Sequence, residues 1–305
     1  MSTPSAPAAR RPFVKSALSL SGLAVMRVLK HAPLPWLRAL GWLIGHLLYG
    51  LALRRRRIAE VNLALCFPER SEAQRRHLVR RHFVLFAQAW LDRSWLWESR
   101  PEVVRRRLRL TGQVQALHET VPTLLFAPHF VGMDAGWMAL TAHVQRRFCG
   151  LYARQRNPVL DQWMADGRRR FGEPHIVAKS AGLKALVTAL RAGEPLYLLP
   201  DMDYGPRDSV FVPFYGVSAA TVPSLSRFAR MGGARVLPIV SRLTPDGYEV
   251  TVLPPWQDFP TDDVVADTVH MNQQLQHWID AVPEQYYWVH KRFKTRPNGE
   301  PSFYR

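Results

Sequence analysis

His129 closes an apolar run, Thr123-Leu-Leu-Phe-Ala-Pro128, and a helix-compatible pattern of Met133, Trp137, Met138 and Leu140 begins just after it. This reads as a buried strand, a tight turn and a helix. His129 therefore sits where a parallel strand ends, the usual place for a site in an open α/β sheet. Asp134 follows five positions later, in what would be the first turn of the helix, where its carboxylate can meet the imidazole. A neutral imidazole hydrogen-bonded to a carboxylate is a general base held in one tautomer, the arrangement that activates a hydroxyl. Spacing alone is weak support, because eleven histidines and 24 acidic residues produce such pairs by chance. A histidine ahead of a helix can equally be a cap or a satisfied core residue.

The elements that must position this pair follow a regular rhythm. From Val103 strands and helices alternate: LRLTG at 108–112, TLLFA, a helix near 132–143, RFCGLYA from 147 and a helix after Pro158. HIVA, a helix over 181–192, PLYLLP from 195 and SVFVPF come next, then a helix over 221–231, the strands ARVLPIVSRL and GYEVTVLP, and a last helix over about 263–281. That order predicts a mostly parallel sheet with helices on both faces. Upstream, EAQRRHLVRRHFVLFAQAWLDRSWLW predicts one long helix with Leu78, Phe83, Leu85, Phe86, Trp90 and Leu91 inward. Its basic face, carrying Arg75, Arg76, Arg80 and Arg81, is either solvated or set against lipid headgroups.

Residues 1–16, rich in Ala, Pro, Ser and Arg without periodicity, read as a disordered basic tail. Residues 17–70 read as a membrane-anchoring helical segment, and 71–305 as the catalytic domain. LPWLRALGWLIGHLLYGLAL runs from Leu34 to Leu53. A run of that length just spans a hydrocarbon core of roughly 30 Å. No small-residue cleavage site follows; Arg54, Arg55, Arg56 and Arg57 do, which excludes a signal peptide and puts the far side in the cytoplasm. An interfacial helix lying flat is the rival reading, and a buried core hairpin the third.

The chain has 305 residues, 41 Lys and Arg against 24 acids, and a formal net charge of +17. That balance calls for an acidic partner: nucleic acid, an anionic membrane or an acidic protein. Cys66 and Cys149 are too few for a disulfide framework and lack metal-ligand spacing, so a reducing compartment is expected. Polar residues gather at two further strand ends, Tyr152-Ala-Arg154-Gln-Arg156-Asn157-Pro158 and Pro200-Asp201-Met-Asp203-Tyr-Gly-Pro-Arg207, and in Glu284-Gln-Tyr-Tyr-Trp-Val-His290-Lys291-Arg292-Phe-Lys294-Thr-Arg296. Asp201-x-Asp203 has no third ligand at fixed spacing, so no metal is expected there.

Together these pieces resemble the lipid A biosynthesis acyltransferases, the late lauroyl or myristoyl type enzymes of Gram-negative bacteria. The motifs that carry the resemblance are His129-x4-Asp134, YARQRNPVLD, Gly167-Arg168, LPDMDYGPRDSVFVPFYG, ARMGGARVLPIV and EQYYWVHKRFKTRP, over about residues 20–305. The resemblance implies a glycerol-3-phosphate-acyltransferase-like α/β sandwich with an N-terminal membrane helix, on the cytoplasmic side of the bacterial inner membrane, with no cofactor and no metal. It makes His129 the catalytic base, Asp134 its acidic partner, and Arg168 and Asp201 further activity residues. Arg154, Arg156, Asn157, Arg168, Asp201, Asp203, His290, Lys291 and Arg292 become candidates for substrate binding. The family commonly has Glu where Asp134 stands, so the shorter side chain has to come closer to His129. The implied partners are acyl carrier protein as donor, a lipid A precursor as acceptor and the membrane, which leaves the charge no need of nucleic acid. Two other readings stay open: an acyl-CoA dependent acyltransferase of another glycolipid, and a non-catalytic membrane or RNA-binding protein, against which His129 and Asp134 argue. No Gly-x-Ser-x-Gly elbow is present, so a covalent acyl-enzyme is not expected.

Overall fold

A computed structural model of the chain describes residues 10–178 and 182–304. Seven strands build its central sheet: β1 (Leu108–Gly112), β2 (Thr123–Phe126), β3 (Cys149–Tyr152), β4 (His175–Ala178), β5 (Leu196–Leu198), β8 (Arg235–Thr244) and β9 (Gly247–Val252). They lie in the order β1-β9-β8-β2-β5-β3-β4. Every pairing is parallel except β8 with β9, which the short Pro245-Asp246 connection forces to be antiparallel.

Side chains leave the strands alternately to two cores. Leu124 and Phe126 of β2 enter one, Leu125 and Ala127 the other; Leu196 and Leu198 of β5 are split from Tyr197 in the same way. The first core is covered by α8 (Gly182–Arg191), α9 (Ser224–Gly232), α10 (Val264–Ala281) and the C-terminal segment. The second is covered by α4 (Glu72–Glu98), α6 (Met133–His143) and α7 (Pro158–Arg168), while α5 (Pro101–Arg107) leads into β1.

A hairpin that the sequence pattern does not show lies beside this sheet: β6 (Val210–Phe214) pairs antiparallel with β7 (Val217–Thr221). Tyr215 and Gly216 both take positive φ, 50° and 73°. This is the pattern of a type I′ turn, whose twist suits a two-residue hairpin. The helix expected over 221–231 consequently begins only at Ser224.

The N-terminal region differs from the single spanning helix expected. Residues 1–9 of the expected tail lie outside the described residues, and from Arg10 the chain is helical, α1 running Arg10–Leu29. The Leu34–Leu53 run forms α2 (Leu34–Leu51), which ends at Ala52, and α3 (Leu53–Cys66) leaves it at 90°. No single described helix is long and apolar enough to cross a membrane; the bent pair α2–α3 meets that test only in combination. One face of α2, with Leu34, Leu37, Gly41 and Gly45, packs along α4. The glycines set the distance: a Cβ on Gly41 would meet Gln88 Cγ at 2.5 Å, and one on Gly45 the Val84 Cα at 2.4 Å. The opposite face leaves Trp36, Trp42, Leu43, Leu47 and Leu51 exposed, and α1 adds Leu20, Val25 and Val28.

The long helix forms as expected, opened by a reciprocal cap in which Gln74 N–H donates to Ser71 Oγ and Ser71 N–H to Gln74 Oε1. Arg76, Arg80 and Arg81 are exposed near its start. Its second half, including Asp92, Ser94 and Trp95, is enclosed on several sides, so the one-sided amphipathic pattern covers only the first turns.

Candidate active site

β2 ends at Phe126, and Ala127 still donates its N–H to Leu198 O of β5, so the chain leaves the sheet at Pro128 with its direction fixed. His129 is next, and Asp201, just past the end of β5, faces it because β2 and β5 are parallel neighbours. Asp201 grips the histidine twice. Oδ2 accepts from the His129 backbone N–H at 3.0 Å, and Oδ1 lies 2.8 Å from Nδ1. The carboxylate is fully buried; burial alone would raise its pKa, but His129 and these hydrogen bonds hold it below the ordinary range. An ionised carboxylate only accepts, so Nδ1 carries the ring proton and Nε2 presents a lone pair.

The C-terminal motif braces the histidine from the other side. Tyr287 N–H donates to His129 O at 3.0 Å, Val131 N–H to Gln285 O at 2.8 Å, and Phe130 forms an isolated bridge with Tyr286. Tyr286 OH reaches Asp201 O at 3.3 Å. The histidine backbone is thus held by the ends of two strands and by a segment close to the C-terminus.

The expected partnership of His129 with Asp134 is not what the structure forms. Asp134 sits in the first turn of α6, where two arginines take its carboxylate. Arg93 of α4 donates through Nε and Nη2 to Oδ2 at 2.9 and 2.6 Å; Arg168, the last residue of α7, donates through Nε and Nη2 to Oδ1 at 3.1 and 2.8 Å. Burial alone would raise this carboxyl; Arg168 and Arg93 outweigh it and hold it well below the usual carboxylate range. Two guanidiniums against one carboxylate leave one positive charge surplus beside the site. Asp134 therefore locks α4, α6 and α7 together around the turn that presents His129, and Asp201 takes the acidic partner's place.

Arg93 is not legible in the sequence. It adjoins Asp92, a fully buried carboxylate that accepts from Arg38 of α2 at 2.8 and 2.7 Å, Trp95 Nε1 at 2.8 Å and Tyr248 OH at 2.7 Å. The packed face of α2 is thereby tied by charge to α4, the helix whose Arg93 grips Asp134.

The other candidates divide. Arg154 and Arg156 are exposed on the loop after β3, Lys294 is half exposed, and Lys291 lies 5.2 Å from the Tyr304 ring centroid. Arg154 and Arg156 are open to a ligand, while Lys294 also lies 3.8 Å from Asp203 Oδ1. His290 accepts at Nε2 from Asp203 N–H at 3.2 Å; burial and the neighbouring His129 push its pKa down to about 4, so it is neutral near pH 7.

Of the expected substrate ligands, Arg168 is taken by Asp134 and Asp201 by His129, and three more are committed to the fold. Arg292 is buried, donating to Ala220 O at 3.0 Å and Thr221 Oγ1 at 2.8 Å, so it anchors β7 and cannot reach a substrate. Asp203 accepts from Gly205 N–H, Thr295 N–H and Thr295 Oγ1, tying the loop after β5 to the C-terminal segment. Asn157 caps α7, accepting from Val159 and Leu160 N–H, and its amide donates to Ser19 Oγ of α1 at 2.6 Å. Beside that contact Gly22, Leu23, Met26, Trp90 and Leu160 line a cavity of about 270 Å³ that is mostly apolar.

Burial pushes the Cys149 thiol up to about 12 and Cys66 well above its ordinary value, so both stay protonated near pH 7 rather than as the thiolate that attacks. The arrangement suits transfer of a group to a hydroxyl that His129 deprotonates.

Comparison with known proteins places the chain in a family. The sequence profile of the family described as "Bacterial lipid A biosynthesis acyltransferase" matches residues 10–295. The chain is 36% identical to the lipid A biosynthesis lauroyltransferase of Escherichia coli (strain K12), over 94% of each chain. It is 33% identical to the myristoyltransferase of the same organism, over 89% of this chain and 84% of that one, and 30% identical to the palmitoleoyltransferase, over 94% of each. Among solved structures, the 1-acyl-sn-glycerophosphate acyltransferase PlsC of Thermotoga maritima superposes with a TM-score of 0.38 at 12% identity, covering 81% of this chain and 96% of that one. A profile that spans nearly the whole chain, together with lauroyl- and myristoyltransferase relatives matched over most of their length, makes this protein an acyltransferase of the bacterial lipid A biosynthesis family.

Proposed function

We propose that the protein transfers a fatty acyl chain from acyl carrier protein to a hydroxyl of an acyl chain already present on a lipid A precursor, with His129 as general base. The observation that carries this reading is the double grip of Asp201 on His129, which fixes the tautomer that leaves Nε2 basic. Nε2 takes the proton of the acceptor hydroxyl, and the oxygen attacks the thioester carbonyl. The tetrahedral intermediate collapses with cleavage of the carbon–sulfur bond, and the carrier thiolate leaves with the proton held by the imidazolium. A positioned base supplies about 10²- to 10⁴-fold; orientation and electrostatic stabilisation supply the remainder. Arg154, Arg156, Lys291 and Lys294 suit the phosphates and acidic sugars of such a precursor, since guanidinium groups grip phosphate through two parallel hydrogen bonds. The apolar cavity between α1, α4 and α7 suits the donor's acyl chain.

The seat on the membrane in this reading is the exposed apolar face of α1 and α2, flanked by Arg54, Arg55 and Arg57, on the cytoplasmic side of the inner membrane. Because the other face of α2 is packed on α4 through Gly41 and Gly45, the helix lies in the interface with its outer side in lipid, and its arginines meet anionic headgroups.

Measuring kcat/KM with acyl carrier protein and with acyl-CoA as donors, in detergent with one acceptor, tests the donor. A net charge of +17 steers an acidic carrier. Attraction between exposed charges is screened beyond about 10 Å at 0.1 M salt. Transfer from the carrier is therefore expected to be faster than from acyl-CoA at low salt and to fall more steeply as salt rises. Acyl-CoA proving the better donor at every salt concentration would replace this reading with an acyl-CoA dependent glycolipid acyltransferase. Mass spectrometry of lipid A from a deletion strain identifies the hydroxyl and the chain length.

A further inference from the structure

At the opposite ends of the strands from His129, three side chains of three ligand classes meet. Cys149 opens β3, His175 opens β4, and Glu194 stands just before β5. The sheet order places β3 between β5 and β4, and Cys149 is the register partner of both Leu196 and His175. Backbone bonds from Cys149 N–H to Pro195 O at 2.9 Å and from His175 N–H to Phe148 O at 2.8 Å fix the three positions relative to one another. One Cys sulfur, one imidazole nitrogen and one carboxylate oxygen lie within 4.8 Å of one another. Cys149 is buried, Glu194 is mostly buried and His175 is partly open to solvent, so an ion has a way in and a water can complete its shell.

We propose that Cys149, His175 and Glu194 hold a divalent transition-metal ion of the zinc class, with water as fourth ligand, and that this ion clamps the β5-β3-β4 edge of the sheet. The donor set fits that class: thiolate and imidazole select borderline-soft ions over magnesium or calcium, and a fixed tetrahedron of mixed donors is the ordinary zinc geometry. Bond lengths of about 2.0–2.3 Å put the ligand atoms of a tetrahedral zinc ion roughly 3.3–3.6 Å apart. His175 Nδ1 and Glu194 Oε2 now lie 2.8 Å from each other, so they must separate slightly to admit the ion. Arg147, whose Nε lies 3.5 Å from Glu194 Oε1, is itself mostly exposed and can swing into water as the metal takes over its partner. On binding, the thiol proton leaves to solvent and a sulfur–metal bond forms; thiolate and carboxylate together neutralise the ion. No sequence motif announces the set, because its members stand far apart along the chain and only the strand order gathers them.

The test uses the full-length protein in detergent, stripped with chelator and titrated with Co²⁺ and with Zn²⁺. One cobalt per chain is expected, with tetrahedral ligand-field absorption and a thiolate-to-cobalt charge-transfer band that zinc abolishes; zinc is expected to raise the unfolding temperature. Cys149→Ser should lose the band, Glu194→Gln and His175→Gln should weaken affinity at least about tenfold, and Cys66→Ser, which removes the only other thiol, should keep the band. Should Cys149→Ser fail to fold, the wild-type spectrum and the Cys66→Ser variant still decide. No thiolate band in the wild type, or a band lost in Cys66→Ser and retained in Cys149→Ser, overturns the proposal.

Discussion

Asp201→Asn changes one atom and reverses the chemistry of the site. In the wild type both carboxylate oxygens accept, one from the His129 N–H at 3.0 Å and one from Nδ1 at 2.8 Å. An asparagine has one oxygen and one NH₂. The backbone N–H can only donate, so it claims the oxygen, and the NH₂ is left facing Nδ1. Nδ1 must then accept, the ring proton moves to Nε2, and the nitrogen that met the acceptor hydroxyl with a lone pair now meets it with an N–H. Loss of a general base costs about 10²- to 10⁴-fold, and the same change of tautomer in a serine-protease triad costs about 10⁴-fold in kcat. A fall of at least about 10³-fold in kcat is expected, with KM for the acceptor changed far less. The assay is steady-state transfer from acyl carrier protein to a lipid A precursor in detergent, beside thermal unfolding of the same preparations. The isosteric side chain keeps both hydrogen bonds in number, so unfolding should shift little. Activity within about threefold of wild type in a folded Asp201→Asn protein would refute the tautomer argument, since a lost base costs far more than that.

The remaining predictions rest on other parts of the structure. Asp134→Ala leaves Arg93 and Arg168 partly buried without a counter-ion, and removing one partner from a buried pair costs about 3–5 kcal/mol, read as a lowered denaturant midpoint; an unchanged midpoint would contradict the clamp. Because the folded-state pKa of Asp134 is depressed, its contribution is fully present above the ordinary carboxylate pKa and drains as pH falls below it. The stability difference between wild type and the variant should therefore shrink in acid. Gly22 lines the cavity between α1, α4 and α7 and a Cβ there meets no atom within 4 Å, so Gly22→Leu adds bulk at the cavity wall. Donor preference should move to shorter chains, with about 10- to 200-fold in kcat/KM for each methylene displaced; an unaltered chain-length profile would rule this cavity out as the acyl seat. Replacing Trp36, Trp42 and Leu47 together by Ser removes about 1.5 kcal/mol or more each, so vesicle binding should weaken by about three orders of magnitude, and equal binding would place the membrane contact elsewhere.

Periodicity exposes most of the sheet, because buried strands here are short apolar runs bounded by Gly or Pro and the parallel connections need a helix between them. The β6–β7 hairpin stays hidden because VSAAT is weakly apolar and the Tyr215-Gly216 turn signals itself by positive φ, which sequence does not display. Position along the chain marks His129 as the residue at a strand end. It points to the wrong carboxylate, since nearness in sequence favours Asp134 over Asp201, 72 positions away, and only the β2–β5 pairing makes His129 and Asp201 neighbours. Arg292 misleads for a related reason: charge in a basic motif reads as open to a ligand, and a buried guanidinium is recognisable only once its acceptors are seen; Arg93 carries no signal in the sequence at all. The helix expected over Leu34–Leu53 ends at Leu51, and the chain turns by 90° into α3, whose first turn carries Arg54 to Arg57.

The central claim is that His129 removes the proton of the acceptor hydroxyl. Single-turnover transfer by His129→Ala, with saturating enzyme, acyl carrier protein donor and lipid A precursor, isolates that step from product release. The expected result is a rate lower by about 10²- to 10⁴-fold, with unchanged precursor binding and an unfolding temperature close to wild type. A folded His129→Ala protein that transfers the acyl chain at near wild-type rate would contradict it.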